Sequence, residues 1–272
     1  MVDAFFRISV IDGALGLCRH RKEYPGTPIS DAVRQLQNGP AYLAGYDYRR
    51  AVELADQVGW DAFTFEGARY TQLRVTLKEL ALRLKPFWAR VSHLGRNRVL
   101  QVVSGDQRQC LEFAGLLETP PSDEVVTWWD EIGAFFRAEE EQRNVEIGRE
   151  GERRTMEYET KRLKSEGIPK QPLWIALDDN RAGYDVLSFQ KLSTSQIEDL
   201  RIEVKASSYS PTHFILTRPE WDEASRQPDL HLFHIWNLET EELLRLSVED
   251  MAPHMPLDNG NGLWREVRVT LP

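Results

Sequence analysis

The chain has 272 residues, 41% of them hydrophobic and 28% charged, with a formal net charge of −9. That length suits one large domain or two ordinary ones, and the composition is that of a globular protein in water. No apolar run approaches bilayer length, two cysteines are too few for a disulfide framework or a thiolate zinc site, and the surplus of acids speaks against a simple nucleic-acid coat protein.

Met1 to Arg7 lacks the basic start and apolar centre of a signal peptide, so a cytoplasmic location is expected, with Cys18 and Cys110 reduced and partly buried. Phe5 to Val10 reads as a short strand or a buried start. Gly13, Gly16, Pro25, Gly26 and Pro28 make the following stretch loop-rich. Ile29 to Gln37 is an expected helix, stopped by Asn38-Gly39-Pro40. Asp47 is placed to cap a helix running through Gln57, with Ala51, Leu54, Ala55 and Val58 inside and Gly59 at its end. Leu73, Leu77, Leu80, Ala81 and Leu84 give Tyr70 to Leu84 a helical period, and Pro86 stops it. Arg98 to Val103 fits a strand or a helix end equally, and Gln107 to Leu117 is a short helix.

Charge is unevenly spread along the chain. Residues 1–118 hold 16 Lys/Arg against 13 Asp/Glu, and the remainder holds 18 against 30. The densest basic run is Arg69, Arg74, Lys78, Arg83, Lys85, Arg90, Arg96, Arg98 and Arg108, opposed only by Glu79 and Asp106. Such a run suits phosphates or, more simply, solvated helix faces. Residues 1–118 are thus read as a mostly helical region whose role is open between a DNA contact and a partner contact.

Thr119-Pro120-Pro121-Ser122 marks a boundary. A helix follows, with Asp123 and Glu124 in its first turn, where the helix dipole favours acids. Its apolar stripe is Val125, Trp128, Trp129, Ile132, Phe135 and Phe136, which is read first as core and second as a docking face. Residues 119–144 are taken as a connecting helix, with Arg137 to Asn144 either continuing it or forming a hinge.

From Val145 the pattern changes. Glu150 to Glu166 is a helix ended by Gly167, with Met156 and Leu163 facing inward. Leu173 to Leu177 reads as a continuous apolar strand, and Asp178 to Arg181 as a turn. Gly183 to Phe189, Leu200 to Ala206 and His213 to Thr217 are further strands. Pro219 opens a helix, Leu230 to Trp236 alternates again, and Leu263 to Leu271 is a last strand. Residues 145–272 therefore form a mixed sheet with helices, and the chain as a whole is α+β or α/β.

The chemistry gathers around Arg201 to Ser207. Ile202 and Val204 share one strand face, and Glu203 and Lys205 share the other. Asp185 lies on a neighbouring strand and Glu152 on the preceding helix. Hard cations need oxygen ligands from several elements, and Asp185 with Glu203 could supply them if their strands pair. A metal held there would polarise a phosphate and lower the pKa of bound water. Lys205 would orient the attacking water and neutralise developing charge. Glu152 is placed to hold the metal's water shell. The layout is that of a metal-dependent phosphodiesterase.

Four ordered motifs carry a family resemblance: Gly148 to Glu152, Gly183-Tyr184-Asp185, Ile202 to Ser207, and Phe214 to Trp221. Over roughly residues 140–240 the chain resembles the C-terminal domain named after the plant protein NO VEIN. That domain looks like a branch of the PD-(D/E)XK, or restriction-endonuclease-like, superfamily. The resemblance implies a mixed sheet flanked by helices, with Asp185 and Glu203 as Mg²⁺ or Mn²⁺ ligands, Lys205 as catalytic lysine and Glu152 as the helix acid. It implies DNA cleavage in restriction or phage defence, with RNA left open. The superfamily's usual Pro before the acid is absent, because Tyr184 precedes Asp185. A homodimer and a helicase, ATPase or other defence-system protein are the expected partners, and no membrane is. No nucleotide-binding Gly-rich loop occurs, so any ATP-driven step belongs to another chain.

The rival reading is a catalytically silent interaction or DNA-binding module. Under it Asp185, Glu203 and Lys205 form an ion pair on an exposed sheet face, and Glu152 is a charge near a helix start. Thr217, Glu220 and Trp221 are read as a helix cap and a packed Trp, and Ser207 and Gln190 as ordinary polar positions. The histidines at 213, 231 and 234 are read as structural, and Asp258 to Gly262 as a turn rather than a calcium loop.

Overall fold

The computed structural model describes residues 2–179, 181–193, 196–209 and 213–271. The chain divides into two compact units, Met1–Glu140 and Glu141–Pro272. Among the described residues no helix is long and apolar enough to cross a membrane.

The first unit is helical. A 3-10 turn (Val2–Phe5) leads into α1 (Ile8–Glu23), followed by α2 (Ile29–Gln37), α3 (Ala41–Ala44) and α4 (Tyr48–Val58). Then come α5 (Arg69–Leu84), α6 (Phe87–Arg90), a 3-10 turn (Val91–Leu94), α7 (Arg96–Val102), α8 (Gly105–Phe113) and the start of α9 (Asp123–Ser165). Helix α1 replaces the expected strand over 8–10 and the expected loop over 13–23, while 24–28 remains a loop, and the start is buried as expected: Phe5, Phe6 and Val10 lie in the core. One of the glycines that suggest a loop, Gly13, has a packing use, whereas Gly16 meets nothing within 4 Å. A Cβ at Gly13 would lie 3.2 Å from the Ala51 Cβ, so its absence lets α1 and α4 approach closely.

Where the period was clear, the elements follow it. Asp47 caps α4 by accepting from Arg50 N–H, and Gly59 ends it at φ 88°. Leu73, Leu77, Leu80 and Ala81 of α5 are buried. Residues 98–102 resolve as helix. The aromatic stripe is spent in this core: Trp128, Ile132 and Phe136 are buried with it, and Trp128 Nε1 donates to Arg74 O at 2.9 Å. Of the stripe, Phe135 stays 37% exposed and Trp129 is only partly covered. Cys18 and Cys110 are free and buried, and burial pushes their thiols up to about 11 and about 12.

The second unit is built on a mixed sheet. Residues Arg137 to Asn144 are helical within α9. The sheet strands are β1 (Leu173–Trp174), β2 (Val186–Lys191) and β3 (Ile197–Ser207), with a short helix α10 (Ile175–Asp178) after β1. Then come β4 (His213–Thr217), α11 (Arg218–Arg226), β5 (His231–Asn237), β6 (Glu242–Ser247), α12 (Val248–Met251) and β7 (Glu266–Thr270). The five-stranded order is β1-β2-β3-β5-β6, with β3 and β5 parallel and the other pairs antiparallel, while β4 and β7 form a separate two-stranded sheet.

The sheet lies between two layers. One face presents Val186, Leu200, Ile202, Val204 and Trp236 to Met156 and Tyr158 of α9. The other presents Phe233 and Ile235 to β4, α11, α12 and β7 through Phe214, Leu216, Ala224, Met251 and Val269. Two expectations need correction. The apolar run 173–177 is a two-residue strand followed by α10, and Leu173 and Leu177 are exposed. Edge strand β6 was not foreseen. The expected turn at 178–181 includes Asn180, which lies outside the described residues.

Candidate active site

Strand β3 delivers the centre of the site. Arg201, Glu203 and Lys205 alternate with the core residues Ile202 and Val204, so burying one face fixes the direction of the other. Glu203 and Lys205 therefore point into the layer formed by α11 and the small sheet, beside Phe233 and Ile235 of the parallel neighbour β5. Glu203 is only 3% exposed, and Lys205 Nζ lies 2.7 Å from its Oε1. An exposed-face ion pair is thus not what the strand carries.

Asp185 sits just before β2. The β2–β3 register pairs Val186 with Ile202, which brings position 185 opposite Glu203. Asp185 N–H donates to Ile202 O at 3.0 Å, and Asp185 Oδ2 accepts from Val204 N–H at 2.7 Å. Gly183 prepares this approach. Its φ is +78°, and a Cβ there would lie 2.9 Å from Glu223 Cγ. Only glycine meets both demands easily.

Glu152 arrives from α9. A Cβ on Gly151 would lie 2.7 Å from the Ala206 Cβ and 3.3 Å from Val204 Cγ1, so glycine there lets the helix rest directly on β3. Glu152 Oε2 accepts from Arg149 Nη1 at 2.7 Å and from Trp174 Nε1. It lies close enough to Asp185 to oppose its ionisation.

The structure adds Glu220. It is the third residue of the α11 capping box, as read from the sequence: Thr217 N–H donates to Glu220 Oε2 at 2.8 Å. The same oxygen receives Lys205 Nζ at 2.8 Å. The sequence reading stopped at the cap, although the Thr-x-x-Glu-Trp match within the motif series was the available signal. Trp221 packs against the core, stacked near Phe233 with ring centroids 6.3 Å apart.

Electrostatically the cluster has a surplus of acid. Burial raises the Asp185 carboxyl to about 6, against the pull of Val204 N–H and Lys205 and with the help of Glu152 and Glu220. Burial also raises Glu203 well above the ordinary carboxylate range, more than Lys205 lowers it. Burial alone would lower Lys205, but Glu203 and Glu220 outweigh it and hold the ammonium charged. One oxygen of each key acid, Asp185 Oδ1 and Glu203 Oε2, accepts no hydrogen bond among the described residues. Two half-free, partly desolvated carboxylates fit the one or two that a magnesium-like ion takes from protein, the rest coming from water and phosphate. Among the described residues no group of three or more His, Cys, Asp or Glu could hold a metal, so such an ion would depend on those outside oxygens.

Several other polar candidates are engaged within the fold. Ser207 exchanges hydrogen bonds with the backbone of Tyr209, and Gln190 donates to Asp229 O at 3.1 Å. His231 and His234 lie on opposite faces of β5 and are buried. Burial chiefly, with nearby arginines, lowers them to about 4 and about 3, so both are neutral at pH 7. Asp258 is engaged by Arg218 at 2.7 and 2.9 Å, at a turn where Asn259 bridges Gly262.

Residues 151–247 match the family described as Protein NO VEIN, C-terminal. The match takes in Glu152, Asp185, Glu203, Lys205 and Glu220, and none of the first unit. No curated protein and no solved structure matches the chain.

Proposed function

We propose that the unit carrying this match is a metal-dependent nuclease of the restriction-endonuclease-like kind, cleaving DNA phosphodiester bonds in restriction or phage defence. The observation that carries the reading is one cluster in which the ammonium of Lys205 is held between the buried Glu203 and the half-buried Glu220, with Asp185 nearby on the backbone N–H of Val204. A buried surplus of carboxylate calls for a cation, and a buried lysine beside it suits a reaction that develops negative charge.

Asp185 and Glu203 would hold Mg²⁺ or Mn²⁺ through their free oxygens. Such an ion, when bound, supplies Lewis-acid charge for the scissile phosphate and acidifies a water. Lys205 would orient the attacking water and neutralise the charge that builds on the phosphate. Glu220, together with Glu203, fixes the ammonium and keeps it protonated, so Lys205 acts as a charge and hydrogen-bond donor rather than as a general base. Glu152, held by Arg149 and Trp174, adds negative charge beside Asp185 and is placed to order water around the site.

The test is cleavage of plasmid, linear and single-stranded DNA, and of RNA, with Mg²⁺ or Mn²⁺ and with an EDTA control. Metal-dependent cutting of DNA is expected, falling by at least about a hundredfold in Lys205→Ala. Cutting that survives EDTA, or that is equal in Lys205→Ala, Asp185→Asn and Glu203→Gln, would overturn the proposal. If the wild type does not cut, metal titration by calorimetry decides: a wild type that binds no more Mg²⁺ than Asp185→Asn leaves the silent-module reading.

A further inference from the structure

Of the nine cations in the basic run of the first unit, five are consumed internally. Arg69 pairs with Asp12, Arg74 with Glu118 and Glu124, Lys78 with Glu131, Arg83 with Asp61 and Glu79, and Lys85 with Glu139. A side chain so engaged has little charge left for a phosphate. The remaining four, Arg90, Arg96, Arg98 and Arg108, make no ion pair among the described residues. Their hydrogen bonds go to Lys85 O, Glu118 O, the Gln101 side chain and Leu100 O. The lone acid among them, Asp106, is taken by Arg7 at 2.8 Å.

These cations sit on α6, the Val91–Leu94 turn, α7 and α8, which follow one another and are anchored by Trp88, Ala89, Ser92, Val99 and Cys110 in the core. The segment is thus a fixed platform rather than a loop. The segment also carries two bare apolar side chains, Phe87 and Leu94, each 62% exposed. Phe87, Arg90 and Leu94 lie within eight residues of one another on α6 and the 3-10 turn that follows it, so exposed apolar groups and an unpaired guanidinium are close along the chain. Exposed apolar groups interleaved with uncommitted arginines suit a ligand that alternates flat apolar surface with negative charge.

We propose that this platform binds single-stranded DNA, with Arg90, Arg98 and Arg108 on phosphates and Phe87 stacking on a base. A single strand is favoured over a duplex because the exposed ring of Phe87 can stack on an unpaired base, a face that a duplex keeps inside its own stack. The platform lies in the first unit and does not depend on the nuclease reading. An acidic chain would acquire by it a local, preformed place to meet a polyanion despite its net charge of −9.

The test uses the full chain in EDTA, so that cleavage plays no part, and a fluorescent oligothymidylate read by anisotropy across a salt series. Binding by the wild type is expected, with Kd rising at least about tenfold in the triple variant Arg90→Gln, Arg98→Gln, Arg108→Gln. The slope of log K against log salt should become shallower by about 2, from roughly 0.7 per lost phosphate contact on a single strand. Phe87→Ser should weaken binding by about tenfold while leaving the slope unchanged, which separates stacking from charge. Should the triple variant fail to fold, the single charge reversal Arg98→Glu, whose only side-chain partner is Gln101, serves in its place. No binding by the wild type, or the same Kd and slope in the arginine variants, would overturn the proposal. Tighter binding to duplex DNA or to RNA than to the single DNA strand would overturn the choice of ligand.

Discussion

Asp185 is where burial and function pull in opposite directions. Its carboxyl stands at about 6 against an ordinary 3.8, chiefly because it is desolvated. A carboxyl raised by folding binds its proton more tightly in the folded chain than in the unfolded one. Its favourable contribution is therefore complete below the ordinary value and is lost as pH rises through about 6. At pH 7, without metal, the ionised group costs on the order of 2–3 kcal/mol. Asp185→Asn keeps an oxygen for Val204 N–H and removes the charge. In metal-free buffer at pH 7 this variant should unfold at higher denaturant concentration than the wild type, and the advantage should vanish near pH 4. Adding Mg²⁺ should raise the midpoint of the wild type and not of the variant. Equal stability of the two proteins at pH 7 would show that the ionised carboxyl is not under this penalty. Lys205 behaves in the opposite sense. Lys205→Ala leaves Glu203 buried without its counter-charge, so the variant's stability should fall as pH rises and recover in acid, a dependence that a simple packing loss would not give.

At the scale of elements, the site depends on how closely α9 lies on β3. Gly151 has no room for a methyl group: the nearest atom would be the Ala206 Cβ at 2.7 Å. Gly151→Ala must push the helix off the strand and carry Glu152 with it. A loss of about 1–3 kcal/mol is expected, together with weaker cleavage, while Gly148→Ala, which meets nothing within 4 Å inside α9, should stabilise by about 0.5–1 kcal/mol and leave cleavage unchanged. Lower down the same helix Glu159 is fully buried, held by Arg162 at 2.5–3.0 Å and by Ser188. Arg162→Ala strands that carboxylate and should cost about 3–5 kcal/mol with no change in Mg²⁺ affinity. A thermal midpoint close to that of the wild type would mean that Glu159 finds another partner. These elements also show what the sequence could and could not tell. Helices α2, α4 and α5 and strands β3 and β5 were legible because period, caps and stops agreed. Helix α1 was not, because Gly13 and Gly16 read as loop when one of them is a packing notch against Ala51. The run 173–177 misled because apolar residues need not be buried, and edge strand β6 lacks the alternation of a half-buried strand. Asp185, Glu203 and Lys205 could be named from motif order, but Glu220 was read only as a cap. One oxygen serving both a backbone N–H and Lys205 is a fact of three dimensions.

For the whole molecule, the question is how charge is settled in a chain of net charge −9. The two units divide the problem differently. In the first, acids neutralise Arg69 to Lys85 internally and leave a small basic platform uncommitted. In the second, Glu203 and Glu220 hold Lys205, with Asp185 and Glu152 close by. Each buried apolar cluster lies wholly within one unit, so ordering produced by a metal has a defined place to appear. Hydrogen exchange followed by mass spectrometry, with and without Mg²⁺, tests this directly. Protection should rise in the backbone around Asp185, in β3 from Glu203 to Lys205 and in the first turn of α11, where Glu220 sits. The buried helices α1, α4 and α5 should exchange at the same rate in both conditions, because none of their side chains belongs to the carboxylate cluster. Protection spread evenly over both units would point to diffuse screening of the −9 charge instead of a bound ion. Unchanged exchange around Asp185 at saturating Mg²⁺ would remove the metal from the site, and the buried surplus of acid would then have to be settled by protons alone.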